Sequence, residues 1–331
     1  MSDHTAPAVC PFTGRAAGIP LDGNPHRPTP AIATARAEAP AVPVQFADGH
    51  DGLLVARYGT AQAVLADDRF TTFPRRFLLG PAEGETHDVD QRALDALAVA
   101  DILSLDGEQH LRIRRSITSR FSVKAARGRR EEINGFVTEA LDDFLDGPNP
   151  GNLTADFATP ISVRSHCLAL GVPDSHVALF AETFVQPTTT QRKFEVIREL
   201  IEVVRANPGE NVLSDLLASD LSEAEVEGLG WVLSVSGRDS VAYMIAMSIF
   251  TLLRHPDQWA KLKREPELLR GAIEELVRYN TMFLNLFSRT AREDLEIEGV
   301  SVAKGQSVVV SAVGANRDPE RFENPDTFDI T

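Results

Sequence analysis

The stretch SEAEVEGLGWVLSVSGRDSVAYMIAMSIFTLLRHP, residues 222–256, determines the fold class. Ser222 and Glu225 have the spacing of a capping box, which predicts that a helix begins here. Pro256 disfavours the helical conformation for the residue before it, so the helix should end at His255. A helix of ~32 residues would be ~48 Å long, and an apolar second half is typical of a buried helix. The sequence therefore predicts one long, buried helix in a mainly α-helical protein.

Residues 236–240, Ser-Gly-Arg-Asp-Ser, interrupt the apolar pattern of this helix. Burying an unpaired carboxylate is costly, and glycine weakens a helix by about 1 kcal/mol relative to alanine. Local breaks of this kind often mark functional sites, so Gly237, Asp239 and Ser240 are candidates for one. The alternative interpretation is a kink that is satisfied by water, or by an Arg238–Asp239 pair at the helix surface.

Helical periodicity predominates after residue 109. Predicted helices are residues 109–121, 124–145, 154–170, 174–184, 190–206, 222–254, 257–264 and 267–280. Strands are predicted at residues 53–56, 295–297, 300–302 and 308–310, with a short helix at 59–66. Residues 72–104 are expected to form a long loop that holds at most one helix. The Pro- and Ala-rich residues 1–45 should form an irregular arm, ahead of a single domain over residues 46–331.

Composition limits the classes of function. The chain has 331 residues and a formal net charge of −15, which argues against nucleic-acid binding because phosphate contacts would have to overcome that field. Cys10 and Cys167 are too few and too far apart for a disulfide framework, which suggests a reducing, cytoplasmic compartment. No apolar run reaches the ~18 residues needed to span a bilayer, and no signal peptide is apparent. The sequence therefore predicts a cytoplasmic protein that binds neither nucleic acid nor membrane.

A cationic helix is predicted near residue 110. At 100° per residue, His110, Arg114, Ile117 and Phe121 share one face of it. An arginine on an apolar face requires an anion, because a guanidinium keeps its proton. A ligand carboxylate would serve, with His110 as a second donor, and an internal Asp or Glu would serve equally well.

The opposite face of this helix carries Arg112 and Arg115. They belong to a cluster of eight cations between residues 112 and 130. In a chain of net negative charge, such a cluster suggests that an acidic partner docks here by electrostatic steering. The alternative is an ordinary solvated face, which is what most runs of charge are.

Four motifs, in this order along the chain, resemble the cytochrome P-450 family. Residues 106–115, DGEQHLRIRR, resemble its C helix, and residues 236–240 resemble its A-G-x-D/E-T motif. Glu275 and Arg278 resemble its K-helix E-x-x-R motif, and residues 315–328 resemble the segment that leads into its haem-binding loop. The resemblance covers roughly residues 20–331. It implies the cytochrome P-450 fold, which is mainly α with a small β portion.

The resemblance implies a haem-thiolate monooxygenase, an oxidoreductase that oxidises a small apolar or amphipathic molecule with dioxygen and electrons from a redox partner. His110, Arg114 and Arg289 would bind the propionates of haem b, with Gly237 also in the cofactor site. The residues Met282, Phe283, Leu284 and Phe287, with the segment 70–79, are expected either to line an apolar pocket or to pack in the core.

Proton delivery and electron transfer also follow from the resemblance. Asp239 and Ser240 would relay protons to bound oxygen, with Ser240 standing where the family usually has threonine. A ferredoxin-like donor would dock on the basic face that includes Arg112 and Arg115.

The K-helix pair has two interpretations. A helical wheel places Glu275 and Arg278 opposite the apolar stripe, which predicts an exposed ion pair. The resemblance instead implies that they tie this helix to Arg317 or its neighbours.

The family's cysteine-ligand loop, F-x-x-G-x-x-x-C-x-G, and its L helix would follow Asp329, whereas this sequence ends at Thr331. Because the thiolate favours O–O cleavage, the 331-residue chain alone is expected to be inactive and to supply no metal ligand. Two alternatives to an enzyme follow. One is a haem-free P-450-like auxiliary protein that binds and activates a partner enzyme. The other is a helical sensor that binds a different anion at Arg114 and Arg289.

Overall fold

The computed structural model describes residues 24, 26–46, 48–72, 89–100, 102, 103 and 105–331. Its α-helices are α1 Pro30–Glu38, α2 Tyr58–Ala66, α3 Gln91–Ala100, α4 Gly107–Thr118, α5 Val123–Gly128, α6 Arg130–Asp146, α7 Thr159–Leu170, α8 Asp174–Val185, α9 Thr190–Ala206, α10 Val212–Leu217, α11 Glu223–Ser236, α12 Arg238–Arg254, α13 Pro256–Arg264, α14 Leu269–Tyr279 and α15 Ala312–Ala315. Within the described ranges, no helix combines the length and apolarity needed to cross a membrane.

Two small sheets complete the described structure. The strands are β1 Val42–Gln45, β2 Asp51–Val55, β3 Phe70–Thr71, β4 Arg289–Ala291, β5 Leu295–Ile297, β6 Val300–Val302 and β7 Ser307–Val310. Five of them form a sheet in the order β1-β2-β7-β4-β3, in which only β2 and β7 are parallel, and β5 pairs with β6. The prediction of a mainly α fold with a small β portion is confirmed.

The chain divides into two units. Residues 1–83 and 247–331 form one, and residues 84–246 form the other, so the boundary at residue 246 lies within α12. The predicted single domain over residues 46–331 stays a prediction.

The core of the first unit lies on both faces of the five-stranded sheet. Successive side chains of a strand point to opposite faces, so Leu53 and Val55 of β2 pack in one apolar cluster and Leu54 packs in another. The β5–β6 hairpin was predicted and is confirmed. Glu298 and Gly299 connect its strands with φ values of 46° and 84°, the left-handed conformations that a tight two-residue hairpin turn requires.

The core of the second unit is formed mainly by the aliphatic and Phe side chains of α4 and of α7–α11. One buried ionic group lies beside it. Glu227 of α11 is 1% exposed, and each of its oxygens accepts a hydrogen bond of 2.6 Å, one from Arg92 of α3 and one from Arg198 of α9. Arg198 also pairs with Asp90 at 2.7 Å. This network ties three helices together through one buried carboxylate.

Three sequence-based expectations differ from the structure. The stretch expected to be irregular up to residue 45 contains α1 and β1. Pro30 lies in the first turn of α1, where proline favours a helix instead of breaking it. The helix predicted over residues 124–145 divides into α5 and α6, and α10 was missed because it is only one and a half turns long.

The single long helix predicted over residues 222–254 is also wrong. The capping box of Ser222 and Glu225 starts α11 as expected, but α11 ends at Ser236 and a new helix begins at Arg238. The second half is not buried all round either. Phe250 and Leu253 are 46% and 65% exposed, whereas Leu252 is buried.

Candidate active site

Helix α4 presents two donor side chains beside its buried face. Ile113 and Ile117 are buried and anchor the helix to the core of its unit. His110 and Arg114 lie one turn apart beside them, and His110 is half-buried while Arg114 is exposed. Within the described part of the chain, neither side chain has a hydrogen-bond or ion-pair partner. This arrangement excludes a described internal carboxylate as the partner of Arg114 and leaves both groups available to a ligand carboxylate.

Arg112, on the other side of α4, has a partner. Its guanidinium pairs with one oxygen of Glu225, whose other oxygen accepts a 2.9 Å hydrogen bond from the backbone N–H of Ser222. Glu225 therefore caps α11 and holds α4 at the same time. Arg112 therefore has an ion-pair partner within the fold, and its place in a basic docking face stays a prediction.

Arg115 has an exposed side chain, and other exposed cations of the cluster follow it along the chain. Arg120 is bound by Asp215 through two hydrogen bonds of 2.7 and 2.9 Å. Besides Arg114, the exposed cations of the cluster with no ion-pair partner among the described residues are Arg115, Lys124, Arg127 and Arg130. Phe121 and Val123, which are 54% and 68% exposed, lie in the same segment. We call these four cations and two apolar side chains the basic face.

The break between α11 and α12 lies against helix α7. A Cβ atom on Gly237 would be 2.3 Å from Cε1 and 2.6 Å from Nδ1 of His166, so a glycine is needed beneath this imidazole ring. Ser162, one turn before His166, donates a hydrogen bond of 2.5 Å to the carbonyl oxygen of Arg238. The sequence marked Gly237 as unusual but contained no signal for His166 or Ser162, because their contact with the break is not local in sequence.

Arg238 and Asp239 form the ion pair that was one interpretation of this segment. Nη1 of Arg238 lies 2.6 Å from Oδ1 of Asp239, and the two side chains are 11% and 69% exposed. The hydroxyl of Ser240 lies 3.4 Å from the carbonyl oxygen of Gly237, which is long for an O–H···O hydrogen bond. The carboxylate of Asp239 is therefore open to water on one side of its ion pair, and the contact of the Ser240 hydroxyl is long.

The K-helix pair is not the exposed ion pair that the helical wheel predicted. Glu275 and Arg278 of α14 form two hydrogen bonds of 2.6 and 2.8 Å, and their side chains are only 14% and 10% exposed. Arg278 also donates to the carbonyl oxygens of Asn316, Pro325 and Thr327. The pair therefore binds the segment after α15 to α14, next to Arg317 as the family resemblance implied.

The remaining candidates lie in the first unit. Arg289 is the first residue of β4 and is half-buried. Leu284 packs against a core cluster, which favours the core interpretation for this residue, whereas Phe283 and Phe287 are 54% and 39% exposed. Phe70 is buried in the core. Residues 73–79 and Cys10 lie outside the described residues.

Comparison with known proteins identifies similar chains. The family model described as Cytochrome P-450 matches residues 189–331. Cytochrome P-450-SU2 of Streptomyces griseolus is 32% identical over 99% of this chain and 82% of its own length. Nocardicin C N-oxygenase of Nocardia uniformis subsp. tsuyamanensis is 34% identical over 91% of this chain and 78% of its own length. The solved structure of CYP105P2 from Streptomyces peucetius, in complex with a biphenyl compound, has a TM-score of 0.82 and 29% identity, and the match covers 96% of this chain and 83% of that one.

Proposed function

The chain belongs to the cytochrome P-450 family and is a monooxygenase of this family, and from this premise we propose that its substrate is a small apolar or amphipathic molecule. The proposed cofactor is haem b, and the proposed compartment is the cytoplasm. The exposed rings of Phe283 and Phe287 support an apolar substrate. One relative is named as a nocardicin C N-oxygenase, which is consistent with oxidation of a small molecule.

The observation that carries the haem assignment is the pair His110 and Arg114. Two donor side chains one turn apart, without a described protein partner, fit a cofactor that carries carboxylates, because charge-assisted hydrogen bonds to carboxylates are strong. We propose that both residues bind haem propionates. Arg289 and Gly237 stay predictions from the family resemblance. When bound, haem supplies the iron at which dioxygen is activated.

The proposed proton path uses two side chains at the start of α12. The exposed carboxylate of Asp239 takes a proton from water, and the hydroxyl of Ser240 passes a proton onward from Oγ. The weak 3.4 Å contact of that hydroxyl with the Gly237 carbonyl supports this role, since little is lost when the hydroxyl turns away. Asp239→Asn is expected to lower the fraction of reducing equivalents that appear in product about tenfold, because proton relays of this kind contribute at least that much.

Haem titration of purified variants tests the cofactor assignment. His110→Ala and Arg114→Ala are each expected to weaken haem binding about tenfold to a hundredfold, since hydrogen bonds to charged groups contribute ~1.5–3 kcal/mol. Arg115→Ala, on the same helix, is the matched control and should bind haem like the unmodified chain. Unchanged affinity in both variants would overturn the assignment. A chain that takes up no haem at all would favour the auxiliary-protein alternative.

The basic face is the proposed docking site of a ferredoxin-like electron donor. Its four cations, which have no ion-pair partner among the described residues, complement an acidic partner, and the exposed side chains of Phe121 and Val123 add apolar area of the kind that protein interfaces bury. Arg127→Glu should raise the KM for a ferredoxin severalfold and weaken its dependence on salt. Arg270→Glu, at an exposed position of α14, is the control. Equal KM values for both variants would contradict this docking site.

A further inference from the structure

Helix α7 contacts the break between α11 and α12 at two points. Ser162 and His166 are one helical turn apart, so they lie on the same face of α7. Ser162 is 2% exposed and its hydroxyl binds the Arg238 carbonyl. The ring of His166 occupies the space that a side chain at residue 237 would need.

The ring of His166 is itself held in place. Phe180 of α8 packs against it with ring centroids 5.9 Å apart, and the backbone of Leu233 in α11 is near enough to raise the pKa of the imidazole. The packing of Phe180 therefore limits the space into which the ring could move away from Gly237.

We propose that Ser162 and His166 are positioning residues that maintain the break between α11 and α12 and thereby place Asp239 and Ser240. His166 acts as a wedge against Gly237, and Ser162 binds the first carbonyl of α12. The consequence for catalysis rests on the proposed proton path, whereas the effect on the break itself does not.

If His166 maintains the break by occupying the space beside Gly237, the effect of a substitution at residue 166 should depend on side-chain size more than on polarity. His166→Ala removes the ring and leaves the residues after Gly237 without support. His166→Phe keeps a ring in the same space, beside another aromatic side chain. A histidine that only fills the core would affect overall stability and would leave the local behaviour of residues 238–240 unchanged.

Amide hydrogen exchange of the apoprotein measures how readily the backbone opens next to the break. In His166→Ala, the amides of residues 242–244, which are the first to bond to carbonyls within α12, should exchange about tenfold faster than in the unmodified chain, since exchange reports local opening. His166→Phe should retain most of the protection. Ser165→Ala, on the same helix, is the matched control because its side chain has no described hydrogen-bond partner. Unchanged exchange in His166→Ala would overturn the proposal.

Ser162→Ala is the second variant and provides the test if His166→Ala does not fold. It removes the hydroxyl that binds the Arg238 carbonyl and should also speed exchange at residues 242–244. Unchanged exchange there would refute the role of Ser162. In the haem-loaded full chain, His166→Ala should divert a severalfold larger fraction of reducing equivalents to hydrogen peroxide. Comparison with Asp239→Asn separates the hypotheses. If Asp239→Asn does not change this fraction, the proton path fails while the exchange result stands. If only Asp239→Asn changes it, the positioning role fails.

Discussion

Replacing His166 with phenylalanine should remove an acid-sensitive part of the protein's stability. Burial, with a smaller contribution from the nearby Arg238, lowers the pKa of this imidazole from its ordinary value of 6.5 to about 4, although the Leu233 backbone and Asp239 act in the opposite direction. The ring is therefore neutral in the folded protein at pH 7. A phenylalanine keeps a ring against Gly237 and Phe180 but has no proton to bind.

The direction in which stability changes with pH follows from the folded-state and unfolded-state pKa values. Because the folded-state pKa lies below the unfolded one, the unfolded chain binds a proton more readily between pH 6.5 and pH 4, and stability falls as the pH falls through this window. Above pH 6.5 the ring is neutral in both states and contributes no pH dependence. At 1.36 kcal/mol for each pKa unit, the loss is about 2 kcal/mol at pH 5 and about 3 kcal/mol at pH 4.

Urea denaturation of the unmodified chain and of His166→Phe, at pH 7 and pH 5, measures this contribution. Both proteins share the same acidic residues, so the difference between their pH dependences isolates the imidazole. We expect His166→Phe to lose about 2 kcal/mol less than the unmodified chain between the two pH values. Equal losses in the two proteins would refute the reasoning that this ring is buried and neutral.

Two further outcomes are expected. Glu227→Gln should lower the free energy of unfolding by about 3 kcal/mol, because it leaves Arg92 and Arg198 facing a neutral group in a buried network. The control, Glu223→Gln, changes a carboxylate that is 65% exposed in its ion pair and should alter the free energy of unfolding by less than about 1 kcal/mol. Equal effects of the two substitutions in a thermal melt would contradict the argument. Burial raises the pKa of the Cys167 thiol to about 12. A disulfide reagent at pH 8 should therefore label this residue only after unfolding, which peptide mass spectrometry would show. Labelling of Cys167 in the folded protein would contradict its burial.

Local signals in the sequence predicted much of the helical structure. The capping box placed the start of α11, and the predicted helix over residues 190–206 coincides with α9. The two glycine breaks around β5 and β6 placed the hairpin. Each of these features depends on residues within a few positions of one another, which is why periodicity and turn chemistry were sufficient.

Features that depend on distant contacts were not predicted. The ring that packs against Gly237 at the break belongs to His166, which lies 71 positions earlier in the chain, so the helical pattern of residues 222–254 continued through the break. The helical wheel also could not distinguish Arg112 from Arg114 by their partners, because the carboxylate that binds Arg112 comes from α11. Propensity and periodicity carry no information about such contacts.

The parallel pairing of β2 with β7 has a consequence for synthesis on the ribosome. Leu53 pairs with Val308, so an early strand must wait for a partner that is translated about 255 residues later. At roughly 5–20 residues per second, this delay is about 13–50 s. The contiguous residues 84–246, which form the other unit, emerge completely within this interval. The nascent chain therefore carries an unpaired strand edge throughout, which is the kind of exposed surface that chaperones shield from aggregation.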